Sequence, residues 1–206
     1  MARVRLIEKA EASPKVQEVY QKIEDNGAKV INLYKTLANS PTAIMLNTIR
    51  LGSAILGQTS LSPKLRELAI LCVAKICGSE YEWKQHEAIA RQVGLTAEQI
   101  KAVADWKKSD KFSEEERVVL QYVDEVAAKV SVADQTFNAL KKFFNDRVIV
   151  ELTVTIGYYN MLARVLVPLQ VEVDASYVSN LNELIGKKGE GKEKGNIGTT
   201  ILKESR

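Results

Sequence analysis

The stretch that decides the fold lies between residues 66 and 86. It reads Arg66-Glu67-Leu68-Ala69-Ile70-Leu71-Cys72-Val73-Ala74-Lys75-Ile76-Cys77, then Gly78-Ser79, then Glu80-Tyr81-Glu82-Trp83-Lys84-Gln85-His86. Ser62-Pro63 is a helix-start signal before this stretch, and Gly78 is a helix-stop signal inside it. The sequence therefore predicts two helices joined by a tight turn. Such a turn folds the second helix back along the first and can bring His86 close to Glu67.

Glu67 and His86 are the candidate catalytic residues. Glu67 interrupts an otherwise apolar helix, where an unpartnered carboxylate would be costly, and His86 is the single histidine of the chain. A carboxylate beside an imidazole can hold it in one tautomer and adapt it to acid–base work near neutral pH. The alternative, a histidine that only fills the core, fits the same pattern.

Four neighbours on the second helix are candidate site-lining residues: Ser79, Tyr81, Glu82 and Trp83. Ser79, Glu82 and His86 are spaced i, i+3, i+7 and so share one helix face. Ser79-x-x-Glu82 also has the form of a capping box, and this structural interpretation is slightly favoured for both residues. Trp83 either walls a pocket or, as is commoner for a tryptophan, contributes to the core or to a subunit contact.

Helical periodicity extends over most of the remaining chain, which predicts an all-α fold of eight or nine helices with short loops. Residues 1–185 are expected to form a single all-helical domain. Residues 186–206 are rich in glycine and lysine and are interpreted as a flexible basic tail. The strongly apolar segment 148–167 predicts burial against a second subunit.

Composition and charge exclude several classes of protein. The formal net charge is +3, but residues 187–206 hold six basic and three acidic residues, so the rest is neutral and nucleic-acid binding is not expected. No apolar run is long enough to cross a membrane. No export signal is visible at the N-terminus, which favours the cytoplasm. One histidine among scattered carboxylates predicts no metal site.

The two cysteines, Cys72 and Cys77, lie five residues apart in the first helix. This spacing puts them on different sides of the helix, where they cannot form a disulfide with each other. It matches neither a Cys-x-x-Cys redox pair nor a zinc-ligand pattern. We therefore interpret both as small buried residues.

Arg-Glu-Leu-Ala-Ile-Leu followed by Gly-Ser-Glu-Tyr-Glu-Trp-x-x-His resembles the carboxymuconolactone decarboxylase family, which shares its fold with alkylhydroperoxidase D. The resemblance is strongest over residues 61–103 and extends more loosely over 40–168. It implies an alkylhydroperoxidase D-like helical bundle that forms trimers or hexamers. Peroxidases of this superfamily carry Cys-x-x-Cys-x-x-x-His; matching on His86 puts Ser79 and Glu82 at the two cysteine positions, and Glu67 at the family glutamate.

The resemblance implies a cofactor-independent lyase that acts on a small lactone or organic acid. His86 would transfer the proton, and Glu67 would orient it. Arg50, Arg164 and Tyr81 are available to bind substrate carboxylates, although the sequence does not assign them to the site. Two alternatives remain open: an alkylhydroperoxidase-like activity that uses an unexpected cysteine, and an oligomeric binding protein without turnover. A serine and a glutamate cannot form a disulfide, which counts against the peroxidase.

Overall fold

The computed structural model describes residues 2–174, and within them every regular element is a helix, which confirms the all-α class. The predicted tail, residues 186–206, lies outside the described residues. The α-helices are α1 (Pro14–Asp25), α2 (Asn32–Leu37), α3 (Thr42–Gln58), α4 (Pro63–Cys77), α5 (Glu80–Gln92), α6 (Ala97–Ala102), α7 (Glu114–Lys129), α8 (Asp134–Leu140) and α9 (Asp146–Leu166). Short 3₁₀ helices cover Lys9–Glu11 and Val103–Lys108. None of the described helices is long and apolar enough to cross a membrane.

The described chain divides into two compact units, the first made of residues 2–58 and 169–174. In this unit α1 and α2 each pack against α3. Tyr20, fully buried on α1, donates its hydroxyl hydrogen to the carbonyl of Ile7 at 3.0 Å. The backbone N–H of Asn32, which begins α2, donates to the carboxylate of Asp174 at 2.9 Å. The bond to Asp174 thus joins the two sequence segments that make up this unit.

The second unit, residues 59–168, is built around α4. This helix packs against α5, α7 and α9, and ten consecutive residues, Leu65 to Ala74, are buried. A helix buried on all sides is expected to be apolar all round, and Arg66 and Glu67 are the two charged residues of this buried run. The candidate catalytic residues all belong to this unit.

Local signals mark the starts of α4, α6 and α7. Thr96 and Ser113 both form complete capping boxes: each hydroxyl accepts a backbone N–H three residues on, and the side chain there returns a bond to the cap. Pro63 occupies the first turn of α4, where its missing N–H costs nothing. These local bonds explain why the helix boundaries follow the sequence pattern so closely.

Candidate active site

The turn between α4 and α5 sets the geometry of the site. Gly78 adopts a left-handed conformation (φ 64°, ψ 29°), which glycine tolerates without strain, and it ends α4. The next backbone N–H, that of Ser79, donates to the carbonyl of Ala74 at 2.9 Å. This closure brings α5 back against α4, as the sequence predicted.

The same turn corrects the predicted Ser79–Glu82 capping box. The Ser79 hydroxyl does cap α5, accepting the backbone N–H of Glu82 at 3.5 Å. The reciprocal bond is absent, because the N–H of Ser79 is already donated to Ala74 at the end of α4. The Glu82 side chain is therefore not used for capping, and its position needs another explanation.

Glu67 and His86 form the predicted contact. Nδ1 of His86 lies 2.7 Å from Oε2 of Glu67, and the other carboxylate oxygen accepts a bond from Nε of Arg66 at 3.1 Å. Glu67 is fully buried, and the side chains of Arg66 and His86 are 3% and 9% exposed. A buried carboxylate between a guanidinium and an imidazole has the partners that its desolvation demands.

The contact with Glu67 also determines which nitrogen of His86 is available for chemistry. A carboxylate only accepts hydrogen bonds, so Nδ1 carries the proton and neutral His86 keeps its lone pair on Nε2. The imidazole packs perpendicular to the ring of Tyr159 on α9, with the ring centroids 4.8 Å apart at 90°. This packing and the Glu67 bond together hold the imidazole in one orientation.

Glu82 differs sharply from Glu67. It is 3% exposed, and neither carboxyl oxygen has a hydrogen-bond partner within the described part of the chain. Burial raises the pKa of Glu82 to about 8, against a weaker opposing effect of the nearby Ser79 hydroxyl. At pH 7 the Glu82 side chain is therefore predominantly a neutral acid that can donate a proton or a hydrogen bond.

Tyr159 lies among these groups and was not among the site residues that the sequence predicted. Burial raises the pKa of Tyr159 well above its ordinary value, and the charges of Glu67 and Glu82 add to the effect. The Tyr159 hydroxyl therefore stays protonated at neutral pH. The signal that could have found it was a pair of polar aromatic rings within an otherwise apolar helix.

A second group of polar residues adjoins Glu82. The thiol of Cys77 lies 3.4 Å from Oδ1 of Asn160, and Nη1 of Arg164 donates to the same oxygen at 2.7 Å. Burial raises the pKa of Cys77, Arg164 opposes that effect, and the charge of Glu82 adds to it. Cys77 is half-buried, which corrects the expectation that both cysteines are buried, whereas Cys72 is only 2% exposed.

The remaining predicted residues have less specific positions. Tyr81 is 4% exposed on α5. Trp83 is half-exposed and lies one turn before His86 on the same helix. No group of three or more potential metal-ligating side chains occurs within residues 2–174.

Residues 43–125 match the profile of the carboxymuconolactone decarboxylase family. Over this segment the chain is similar to that family. It is also 30% identical over 109 residues to the uncharacterized protein YnjA of Escherichia coli K12, a match that covers 52% of this chain and 59% of YnjA. The family segment contains α4 and α5, and therefore Glu67, Ser79, Glu82 and His86.

Solved structures agree on the fold. An alkylhydroperoxidase AhpD core, an uncharacterized peroxidase-related protein from Ralstonia eutropha JMP134, superposes with a TM-score of 0.73 at 20% identity, covering 84% of this chain and 93% of that one. A protein of unknown function from Agrobacterium tumefaciens superposes with a TM-score of 0.63 at 26% identity, covering 68% and 96%. The chain thus has the alkylhydroperoxidase D-like all-α fold that the sequence predicted.

Proposed function

We propose that this protein is a cofactor-independent lyase that removes carbon dioxide from a small lactone or organic acid by proton transfer. The observation that carries the proposal is a pair of carboxyl groups in contrasting environments within one site. Glu67 is held between Arg66 and His86, whereas Glu82 is buried without a partner and its pKa is raised to about 8. Two carboxyl groups of one site that lie in such different environments can take different roles in acid–base catalysis.

The proposed reaction follows from these assignments. The bond from carbon to the leaving carboxylate breaks, and its electron pair moves into the conjugated carbonyl group to give an enolate. Neutral Glu82 donates a hydrogen bond to the oxygen on which this negative charge develops. His86, which first takes a proton from solvent on Nε2, then delivers that proton to the enolate carbon and returns to the neutral form. Glu67 stabilises the transient imidazolium through Nδ1.

The test is release of carbon dioxide from a panel of lactone carboxylic acids and β-keto acids, with incorporation of deuterium from D₂O into the product. His86→Gln should lower kcat by about 100-fold or more. Glu87→Gln, next to His86 but paired with Arg91 at 2.7 Å, is the matched control and should leave kcat unchanged. Full activity in His86→Gln, or no turnover of either substrate class by the unaltered protein, would overturn the proposal and favour a binding protein without turnover.

A thiol-dependent peroxidase is the second candidate, favoured by the position of Cys77 beside Glu82 and by the fold shared with peroxidase-related proteins. Its weakness is chemical, since the pKa of Cys77 is raised and the thiolate is the reactive form. Reduction of an organic hydroperoxide by a dithiol, abolished by Cys77→Ser and unaffected by His86→Gln, would favour this candidate over the lyase.

We also propose that copies of the chain associate, as trimers or hexamers, through an apolar stripe on α9. Val150, Val154 and Met161 are 60%, 42% and 43% exposed, and exposed Gly157 lies between them at helical spacing. Light scattering after gel filtration should report a smaller particle for Val154→Asp than for the unaltered chain. The control is Val130→Asp, which alters an isolated, 88% exposed valine and should leave the mass unchanged. An unaltered protein that is monomeric would refute the association.

A further inference from the structure

We propose that Arg164 and Asn160, with Cys77 beside them, form the subsite that binds the carboxylate of the substrate. The ligand class is a small carboxylic acid. That its reacting end reaches Glu82 and His86 rests on the proposed function. The sequence alone named Arg164, with Arg50 and Tyr81, as available to bind substrate carboxylates, and it assigned none of the three to the site.

Asn160 holds the guanidinium of Arg164 in a fixed orientation. Nη1 of Arg164 donates to Oδ1 of Asn160 at 2.7 Å and to its backbone carbonyl at 2.9 Å. These two bonds use both hydrogens of Nη1 and fix the plane of the guanidinium. Arg164 also hydrogen-bonds the side chain of Cys77. A bound carboxylate would meet the edge formed by Nη2 and Nε, whose geometry matches both carboxylate oxygens. No carboxylate within residues 2–174 forms an ion pair with Arg164.

The position of Cys77 connects Arg164 with Glu82. The Cys77 thiol lies 3.4 Å from the same Asn160 oxygen, and it is affected by the charges of both Arg164 and Glu82. Cys77 therefore links the exposed guanidinium to the buried end of the site, where the Glu82 carboxyl has no hydrogen-bond partner in the described chain. A cation at the rim and a neutral acid inside suit a ligand with a carboxylate at one end and a carbonyl group at the other.

Arginine near a helix C-terminus also has a purely structural use, because it interacts with the last carbonyl groups and the helix dipole. Arg164 lies in the last turn of α9 and bonds to the carbonyl four residues earlier. That role predicts an effect on stability alone. A carboxylate subsite predicts, in addition, that the charge of a small molecule governs its access to Cys77.

The experiment uses Cys77 as a reporter of local charge. Iodoacetate and iodoacetamide alkylate the same thiolate and differ in charge, so the ratio of their rates is independent of the thiol pKa. Arg164→Gln should lower the iodoacetate-to-iodoacetamide ratio about five-fold, the factor for one unit charge at contact distance in water. Arg147→Gln, at the other end of α9, is the matched control and should leave the ratio unchanged. Cys72 is buried, and Cys77→Ser should abolish the labelling.

Protection by a ligand completes the test. The lactone acid 5-oxotetrahydrofuran-2-carboxylate should slow alkylation of Cys77 by iodoacetamide, whereas its methyl ester should not, and Arg164→Gln should remove the protection. An unchanged rate ratio together with equal protection by acid and ester would overturn the subsite. Arg164-dependent protection without any carbon dioxide release from the lactone and keto acids would establish the subsite while refuting the lyase, so the two failures are distinguishable.

Discussion

Replacing Glu82 by glutamine should stabilise the protein above pH 5 and leave it unchanged at pH 4. The pKa of Glu82 rises from an ordinary 4.5 to about 8 on folding because the carboxyl group is buried without a partner. A group whose folded pKa is raised contributes its full stability below the unfolded pKa and loses that stability as the pH rises to the folded pKa. Glutamine has a similar shape and never ionises, so it avoids this loss.

The magnitude follows from linkage. Each pH unit between 4.5 and 8 costs the unaltered protein about 1.4 kcal/mol relative to Glu82→Gln. The difference in unfolding free energy should reach about 3 kcal/mol at pH 7 and level off near 5 kcal/mol above pH 8. Urea unfolding at pH 4, 5.5, 7 and 8.5 measures this curve. A difference that does not change with pH would refute the account of Glu82 as a buried, unpartnered acid.

Glu125 provides a control of opposite sign. It accepts bonds from the backbone of Ala133 and from the side chains of Thr136 and Gln121, which together lower its pKa to about 2. A group with a lowered folded pKa contributes stability above its unfolded pKa and loses it as the pH falls through the folded pKa. Glu125→Gln should therefore destabilise at pH 7 by about 1–3 kcal/mol and lose most of that effect near pH 2.

Three further predictions concern stability at pH 7, measured as shifts in the midpoint of urea unfolding. Val130→Gly should stabilise by about 1 kcal/mol, because Val130 ends α7 at φ 57°, where a β-branched residue is strained; a loss of stability would contradict this. Ser113→Ala should cost about 1 kcal/mol and Ser79→Ala less, since the Ser79 cap bond is 3.5 Å long and unreciprocated; the reverse order would refute it. Leu68→Ala should cost about 2–5 kcal/mol, since Leu68 is fully buried in the central helix; a cost below 1 kcal/mol would argue against a packed core there.

The sequence predicted the α4–α5 pair and the contact between Glu67 and His86 because those features depend on local signals. Pro63 begins one helix, Gly78 ends it, and a single carboxylate interrupts its apolar face. The spacing along two antiparallel helices then brings His86 opposite Glu67. The helical repeat and the free-energy cost of burying a charge are sufficient to predict both the helix pair and this contact.

Tyr159 and Arg164 could not be assigned to the site from sequence, because their roles depend on which face of α9 packs against α4. When an apolar helix carries polar residues on more than one side, its sequence does not show which face packs against the neighbouring helix. The packing of α9 on α4 brings Tyr159 to the imidazole and Asn160 to Cys77. This is tertiary information, and it is absent from any single helical pattern.

The spacing of Glu82 slightly favoured a role in a capping box. The structure shows why the Glu82 side chain does not cap the helix, and the same reason supports the proposed chemistry. A reciprocal bond from its carboxyl group requires a free backbone N–H on Ser79, and the turn at Gly78 commits that N–H to Ala74. The carboxyl group thus gains nothing from the helix start and loses its water on burial. A residue that costs the fold about 3 kcal/mol at pH 7, beside a buried Glu67–His86 pair, is best explained by a use for its proton.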